Sequence, residues 1–187
     1  MIKMINMQIN RIWAMPNKFT FKIKPIKKIV EKYIKEAKII IDPFANQCKY
    51  GTIRNDLNPE FDTNYHLDAL KFLKLMKSNS ADLVLYDPPY SIHQAAICYN
   101  KFGQDKLKQS VANMGYWGNC KNEVTRILKI NGIAIICSWS SNGIGINRGF
   151  EMLEILLVPH GGSKNDTIVT VEKKKIEIEK AILFSDV

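Results

Sequence analysis

The chain has 187 residues, 46% of them apolar, which is enough for one domain with a sizeable core and too apolar for a disordered tail. Its 27 lysines and arginines against 18 acids leave a formal charge of +9, and no apolar run approaches the ~20 residues that cross a bilayer. The charge suits a polyanionic partner held with a steep salt dependence, although a Lys- and Ile-rich chain from an AT-rich genome would carry the same excess. The segment Met1 to Asn6 starts no sustained apolar stretch of the signal-peptide kind, so a cytoplasmic location is expected. Cys48, Cys98, Cys120 and Cys137 are widely spaced, without a C-x-x-C or a paired histidine, and read as mostly buried thiols with no metal site.

Along the chain, Ile26, Ile29, Val30, Tyr33 and Ile34 recur at helical spacing within Lys24–Lys38, with lysines on the other face. Ile39–Ile41 reads as a buried strand ending at Asp42-Pro43, and Gly51–Asn55 as a short strand ending at Asp56. Leu67–Met76 reads as a helix, and Ala81–Tyr86 as a third strand ending at Asp87-Pro88-Pro89-Tyr90. Glu123–Lys129 has helical character, with Asn131-Gly132 placed to close it through a left-handed Gly132. Ile133–Ser138, Phe150–Pro159 and Thr167–Glu172 complete the strands, the last two joined around His160-Gly161-Gly162. The alternation predicts a doubly wound α/β sheet, mostly parallel, with an antiparallel hairpin at its C-terminal end. Ligands of such sheets lie beyond the carboxyl ends of the strands, so Asp42, Asp56 and Asp87 should border one crevice.

The tetrad Asp87 to Tyr90 carries the sharpest chemistry. An exocyclic amine of a base is a poor nucleophile because its lone pair is delocalised into the ring. A carboxylate accepting one N–H and a backbone carbonyl accepting the other would localise that pair towards an incoming methyl group. Two prolines make a rigid turn without spare N–H groups, which lets the Pro88 carbonyl point into the site, and Tyr90 offers a face for an extruded base.

On these residues the chain resembles the N6-adenine DNA methyltransferases, and among them the compact enzymes of phages and prophages, some of which serve restriction-modification. Their D-P-P-Y motif stands here as Asp87 to Tyr90, and Asp42-Pro43-Phe44-Ala45 stands where they carry a D-P-F-A-G-S-G-like loop. Asn55-Asp56-Leu57-Asn58-Pro59, Tyr65 to Leu70, Trp139 to Gly143, His160-Gly161-Gly162 and Asn165-Asp166-Thr167 follow in the order that those enzymes show. The resemblance spans about residues 13–172 and implies one Rossmann-like class I methyltransferase domain over 1–187, without a separate target-recognition domain.

It implies S-adenosylmethionine as cofactor, S-adenosylhomocysteine as product, and DNA, single- or double-stranded, as partner. Asp87, Pro88, Pro89 and Tyr90 would be catalytic, with Asp87 also close to the cofactor. Asp42, Pro43, Phe44, Ala45 and Asn46 would line the methionine end, together with Phe19 and Thr20. Asp56, beside Leu57, would accept the ribose hydroxyls, and Asp68 and Ala69 would stand near the adenine. One departure is Asn46-Gln47-Cys48 in place of the glycines; Asn46 tolerates a left-handed backbone and is expected to replace the first of them.

Methyl transfer from a sulfonium needs no strong base, so His66 and His160 read as structural, while His93 has a better claim on substrate. Trp139 suits either the core or the border of a base pocket. Ser91–Gly118 mixes Lys101, Lys106 and Lys108 with Tyr99, Phe102, Tyr116 and Trp117, as a strand-holding loop or a lid would. Lys173-Lys174-Lys175 reads as a solvated strand end. Rival readings are an RNA adenine methyltransferase and a non-catalytic nucleic-acid-binding subunit with the glycine-poor loop; a homodimer or a partner subunit fits any of them. Glutamine methylation of proteins fits less well, because such enzymes begin their tetrad with Asn.

Overall fold

The computed structural model describes residues 7–101, 115–162 and 164–176. Its strands are β1 (Gln8–Arg11), β2 (Ile40–Asp42), β3 (Ile53–Arg54), β4 (Ala81–Tyr86), β5 (Leu128–Ser138), β6 (Phe150–Val158) and β7 (Thr167–Lys174). Its helices are α1 (Lys24–Ile34), α2 (Ala69–Leu75), α3 (Ile92–Lys101) and α4 (Gly115–Ile127), with a 3-10 turn at Thr20–Lys22.

The strands form one seven-stranded sheet in the order β1-β6-β7-β5-β4-β2-β3. β7 runs antiparallel to both neighbours, and the other pairings are parallel. Alternation along the central strands sends Ile41, Val84, Tyr86, Ala134 and Ile136 to one face, against Phe72 and Leu73 of α2 and Cys120, Val124 and Ile127 of α4. Ile40, Leu83, Leu85, Ile135 and Cys137 face the other way, against Ile26, Ile29 and Val30 of α1. Helices on both faces explain why Leu83–Tyr86 of β4 reads as an unbroken apolar run. Each fully buried Ile or Leu at these positions contributes about 2 kcal/mol relative to exposure.

The chain crosses the sheet between β2 and β4. It leaves β2 for β3 on one side and returns to β4 on the other, so the connections after β2 and β4 diverge and open a crevice above those two strand ends. The two strands ending in Asp42-Pro43 and in the tetrad flank this switch point.

Three local expectations need correction. α4 ends at Ile127 and Leu128 opens β5, so Asn131-Gly132 lies inside a strand; the left-handed residue there is Asn131 (φ 67°), not Gly132. Of Ser91–Gly118, the start is α3 and the end belongs to α4, while Phe102, Lys106 and Lys108 lie outside the described residues. Lys174 is buried, with Nζ donating to the Leu128 carbonyl at 2.9 Å, because its long stem reaches inward from β7. Cys120 and Cys137 are buried, Cys48 is half-buried and Cys98 is exposed. Among the described residues no helix is long and apolar enough to cross a membrane.

Candidate active site

Above the switch point lies a cleft of about 910 Å³. Its floor is the loop after β2. Asp42 itself does not reach the cleft wall: it is fully buried beneath it, with Oδ1 accepting the Phe44 N–H at 3.1 Å and Oδ2 without a hydrogen-bond partner. Burial pushes its carboxyl well above the ordinary range. Pro43, Phe44, Ala45 and Asn46 form the wall above it, and the Phe44 ring packs edge-on against Tyr86 at 5.3 Å.

Asn46 adopts φ 51°, the left-handed conformation that a glycine would otherwise supply. Its N–H donates to Asp56 Oδ2 at 2.8 Å, while Asp56 Oδ1 accepts the Asn58 N–H at 2.8 Å. The carboxylate after β3 therefore locks the loop after β2, and burial raises its pKa. Asn46→Val should destabilise the fold by about 1–2 kcal/mol, whereas Asn46→Gly should cost much less. Denaturant midpoints of the two variants check this. Gly51, further along, has a tighter reason to be glycine: an added Cβ would come within 2.9 Å of Asp42 Cβ and Arg54 Cγ.

Asn55, buried at the end of β3, ties these loops together. Its Nδ2 donates to the Pro43 carbonyl at 3.0 Å and to the Leu67 carbonyl at 2.9 Å, and its Oδ1 accepts the Leu67 N–H at 2.9 Å. One amide thus ties two stretches of the wall, at Pro43 and at Leu67, to the end of β3. Leu57, Phe61, Leu67 and Ala69 make the adjoining side apolar. Asp68 stands behind that side, facing away from the cavity. Its Oδ1 caps α2 by accepting the Lys71 N–H at 3.0 Å, and its Oδ2 accepts the hydroxyls of Tyr99 at 2.7 Å and Tyr116 at 2.6 Å. Tyr99 and Trp117 then close the cleft from α3 and α4.

The tetrad forms the opposite rim. Asp87, Pro88, Pro89 and Tyr90 all line the cleft. Ser91 Oγ accepts the Gln94 N–H at 3.2 Å and Gln94 Oε1 accepts the Tyr90 N–H at 2.8 Å, a reciprocal cap that starts α3 immediately after the tetrad. The Tyr90 hydroxyl donates to Asp87 Oδ1 at 2.7 Å, and the Thr20 side chain also lines the cleft. Desolvation outweighs the stabilisation that neighbouring hydroxyls give the charged form and raises the Asp87 pKa to about 6. Thr20 and Phe19 arrive from the N-terminal segment, with the ammonium groups of Lys18 and Lys22 over the Phe19 ring at 4.9 and 4.5 Å.

Trp139, whose sequence fits core or rim, is 41% exposed and stands edge-on to Tyr90 at 5.9 Å. His160 is buried, with Nδ1 2.8 Å from the Ala14 carbonyl and Nε2 2.9 Å from Thr167 Oγ1. His66 and His93 are exposed. Sequence reasoning assigned no role to Asn55, Phe61 or Gln94, and read Tyr99 and Trp117 as aromatics of a strand-holding loop or a lid. An amide directly before an acid at a strand end was the signal available for Asn55; the others are set by tertiary packing.

A doubly wound sheet with an antiparallel β7 between β5 and β6 and a cleft above its switch point is the Rossmann-like class I methyltransferase fold. Solved structures share it. The 1,6-didemethyltoxoflavin-N1-methyltransferase of Burkholderia thailandensis, solved with 1,6-didemethyltoxoflavin and S-adenosylhomocysteine, is 13% identical with a TM-score of 0.56, over 82% of this chain and 78% of that one. TrmN of Thermus thermophilus is 13% identical with a TM-score of 0.53, over 81% of this chain and 49% of that one. The N-methyltransferase NodS of Bradyrhizobium japonicum WM9 is 7% identical with a TM-score of 0.51, over 86% of this chain and all of that one (100%). No protein-family profile matches the chain, and no curated protein matches it in sequence.

Proposed function

We propose that the chain transfers a methyl group from S-adenosylmethionine to the exocyclic N6 amine of adenine in DNA. The observation that carries the reading is Asp87-Pro88-Pro89-Tyr90 at the end of β4, on the rim of the switch-point cleft. The shared fold includes a methyltransferase solved with S-adenosylhomocysteine, and the formal charge of +9 favours a phosphate-rich substrate.

The residues present fit the cofactor. Asp56 keeps lone pairs for ribose hydroxyls on a carboxylate already fixed by two backbone donors. Leu57, Phe61 and Ala69 offer apolar surface for an adenine ring, and Phe19 with the left-handed Asn46 borders the methionine end. The half-buried carboxylate of Asp87, on the cleft rim, favours a cationic sulfur nearby. When bound, S-adenosylmethionine supplies an electrophilic methyl group and departs as the neutral thioether S-adenosylhomocysteine.

The chain's own work is positioning. A carboxylate has about four lone-pair sites, so Asp87 can hold the hydroxyl of Tyr90 and still accept one N–H of the target amine. The Pro88 carbonyl accepts the other, Tyr90 faces the base, and after transfer Asp87 takes the surplus proton. Only the ionised Asp87 can take up that proton, and it is also the stronger acceptor for the N–H. Because its pKa is raised to about 6, the single-turnover rate should fall as pH drops through about 6 and level off above 7. A rate that is flat from pH 5 to 8 would remove Asp87 from this role.

Transfer of tritiated methyl from S-adenosylmethionine to duplex DNA, single-stranded DNA and RNA tests the proposal. Label in DNA supports it; label in RNA alone would move the activity to the RNA reading. No label on any of the three, from folded protein, would leave the fold without this activity.

A further inference from the structure

The C-terminal edge of the sheet continues past the cleft, from β5 across β7 and β6 to β1, and a line of contacts connects its two ends. Trp139 follows β5 and touches Tyr90. Ser138 pairs with Ile168 of β7, and the next residue back, Thr167, receives the ring of His160. The other ring nitrogen of His160 holds the Ala14 carbonyl, which fixes Trp13 and Met15 on either side of it. Trp13 lies over Gly161, where an added Cβ would come to 3.4 Å from Nε1, while a Cβ on Gly162 would meet nothing within 4 Å.

That edge is apolar and open. Trp13 is 59% exposed and Met15 is 68% exposed, and their main chain is held by paired backbone groups: Ile12 N–H to the Leu157 carbonyl at 3.0 Å, Ala14 N–H to the Pro159 carbonyl at 3.2 Å. Exposed tryptophans on a rigid backbone are costly to leave in water without a ligand. The charge around them is mostly positive. Residues 11–22 contain Arg11, Lys18 and Lys22, all exposed, and no acid; Lys164 is exposed beyond the glycine turn, with Asp166 the acid nearby. From β1 to β5 is three interstrand steps, roughly 14 Å, which spans a few nucleotides of one strand.

We infer that this edge is a track for unpaired nucleotides flanking the target adenine, with Trp139 and Trp13 as stacking platforms and the lysines on the backbone. The inference rests on the DNA reading above and narrows its substrate to an opened or single strand. Aromatic faces reached across a lysine-lined edge accept any base, so the track holds the strand without reading its sequence.

The test is binding without methyl donor, by fluorescence anisotropy of a labelled thymine 15-mer with one central adenine, single-stranded and as a duplex. The single strand should bind at least about fivefold more tightly. Trp13→Ala should weaken it by at least about fivefold, and Trp13→Phe by much less. Abasic residues on one side of the adenine should erase the difference between wild type and Trp13→Ala. Equal or tighter binding of the duplex overturns the inference, as does a Trp13→Ala affinity within twofold of wild type. A dimer that Trp13→Ala dissolves without changing strand binding also overturns it, assigning the edge to a second copy. Because no methyl donor is present, failure here leaves the methyl-transfer reading standing, and failure of methyl transfer leaves this readout intact.

Discussion

Asp87→Asn is expected to lower the single-turnover rate of methyl transfer by about a hundredfold or more while the protein stays folded. The substitution keeps the volume of the side chain and an oxygen for the Tyr90 hydroxyl, so the rim should hold its shape. What it removes is the negative charge that draws the amine's N–H and later takes its proton; a carboxamide oxygen accepts the N–H more weakly and cannot take the proton at neutral pH. Since burial already disfavours that charge, raising the pKa to about 6, the asparagine variant should unfold at the same temperature or slightly higher. A rate within threefold of wild type, measured at saturating cofactor and DNA, would show that Asp87 is not the group on the amine.

The largest expected effect on stability lies behind the cleft. Asp68→Ala should cost about 3 kcal/mol or more, a large share of the 5–15 kcal/mol that ordinarily holds a domain. Loss of the α2 cap accounts for about 1 kcal/mol. The hydroxyls of Tyr99 and Tyr116 then keep only each other, 3.0 Å apart, and a buried hydroxyl left without its acceptor costs about 1–3 kcal/mol. Asp68→Asn retains the cap and one acceptor and should lose less. Because Tyr99 forms part of the cleft wall, the alanine variant should also bind cofactor more weakly than its folded fraction predicts. Urea denaturation of the three proteins ranks them; an alanine variant within 1 kcal/mol of wild type would contradict the arrangement.

The fold was legible where burial writes a pattern. Leu83–Tyr86 is covered on both faces, so its apolar run marks the strand, and Asp42 and Asp87 mark strand ends because a polar turn must follow a buried strand. β1 was illegible for the opposite reason. All four of its residues are exposed, and its strand character comes from pairing with β6 far along the chain. The Asn131-Gly132 signal misleads because turn residues can also sit in an irregular stretch of strand, here where the β4–β5 register shifts.

The site divides along the same line. Of the tetrad and the Pro43–Asn46 loop, sequence order alone brought every residue to one cleft, and the left-handed Asn46 followed from its side chain. Asp68 shows the limit. Tyr99 and Tyr116 lie 31 and 48 residues away, so nothing local announces that its carboxylate is already engaged. A segment read as a loop also turned out to carry α3, whose Gln94 and Tyr99 complete the wall.

The most direct test of the central claim is to incubate adenine-containing DNA with the protein and S-adenosylmethionine, digest it to nucleosides and identify the methylated base by mass spectrometry. The account predicts N6-methyldeoxyadenosine, absent from the Asp87→Asn reaction. Methylation of another base, or the same product from the variant at the wild-type rate, would contradict it.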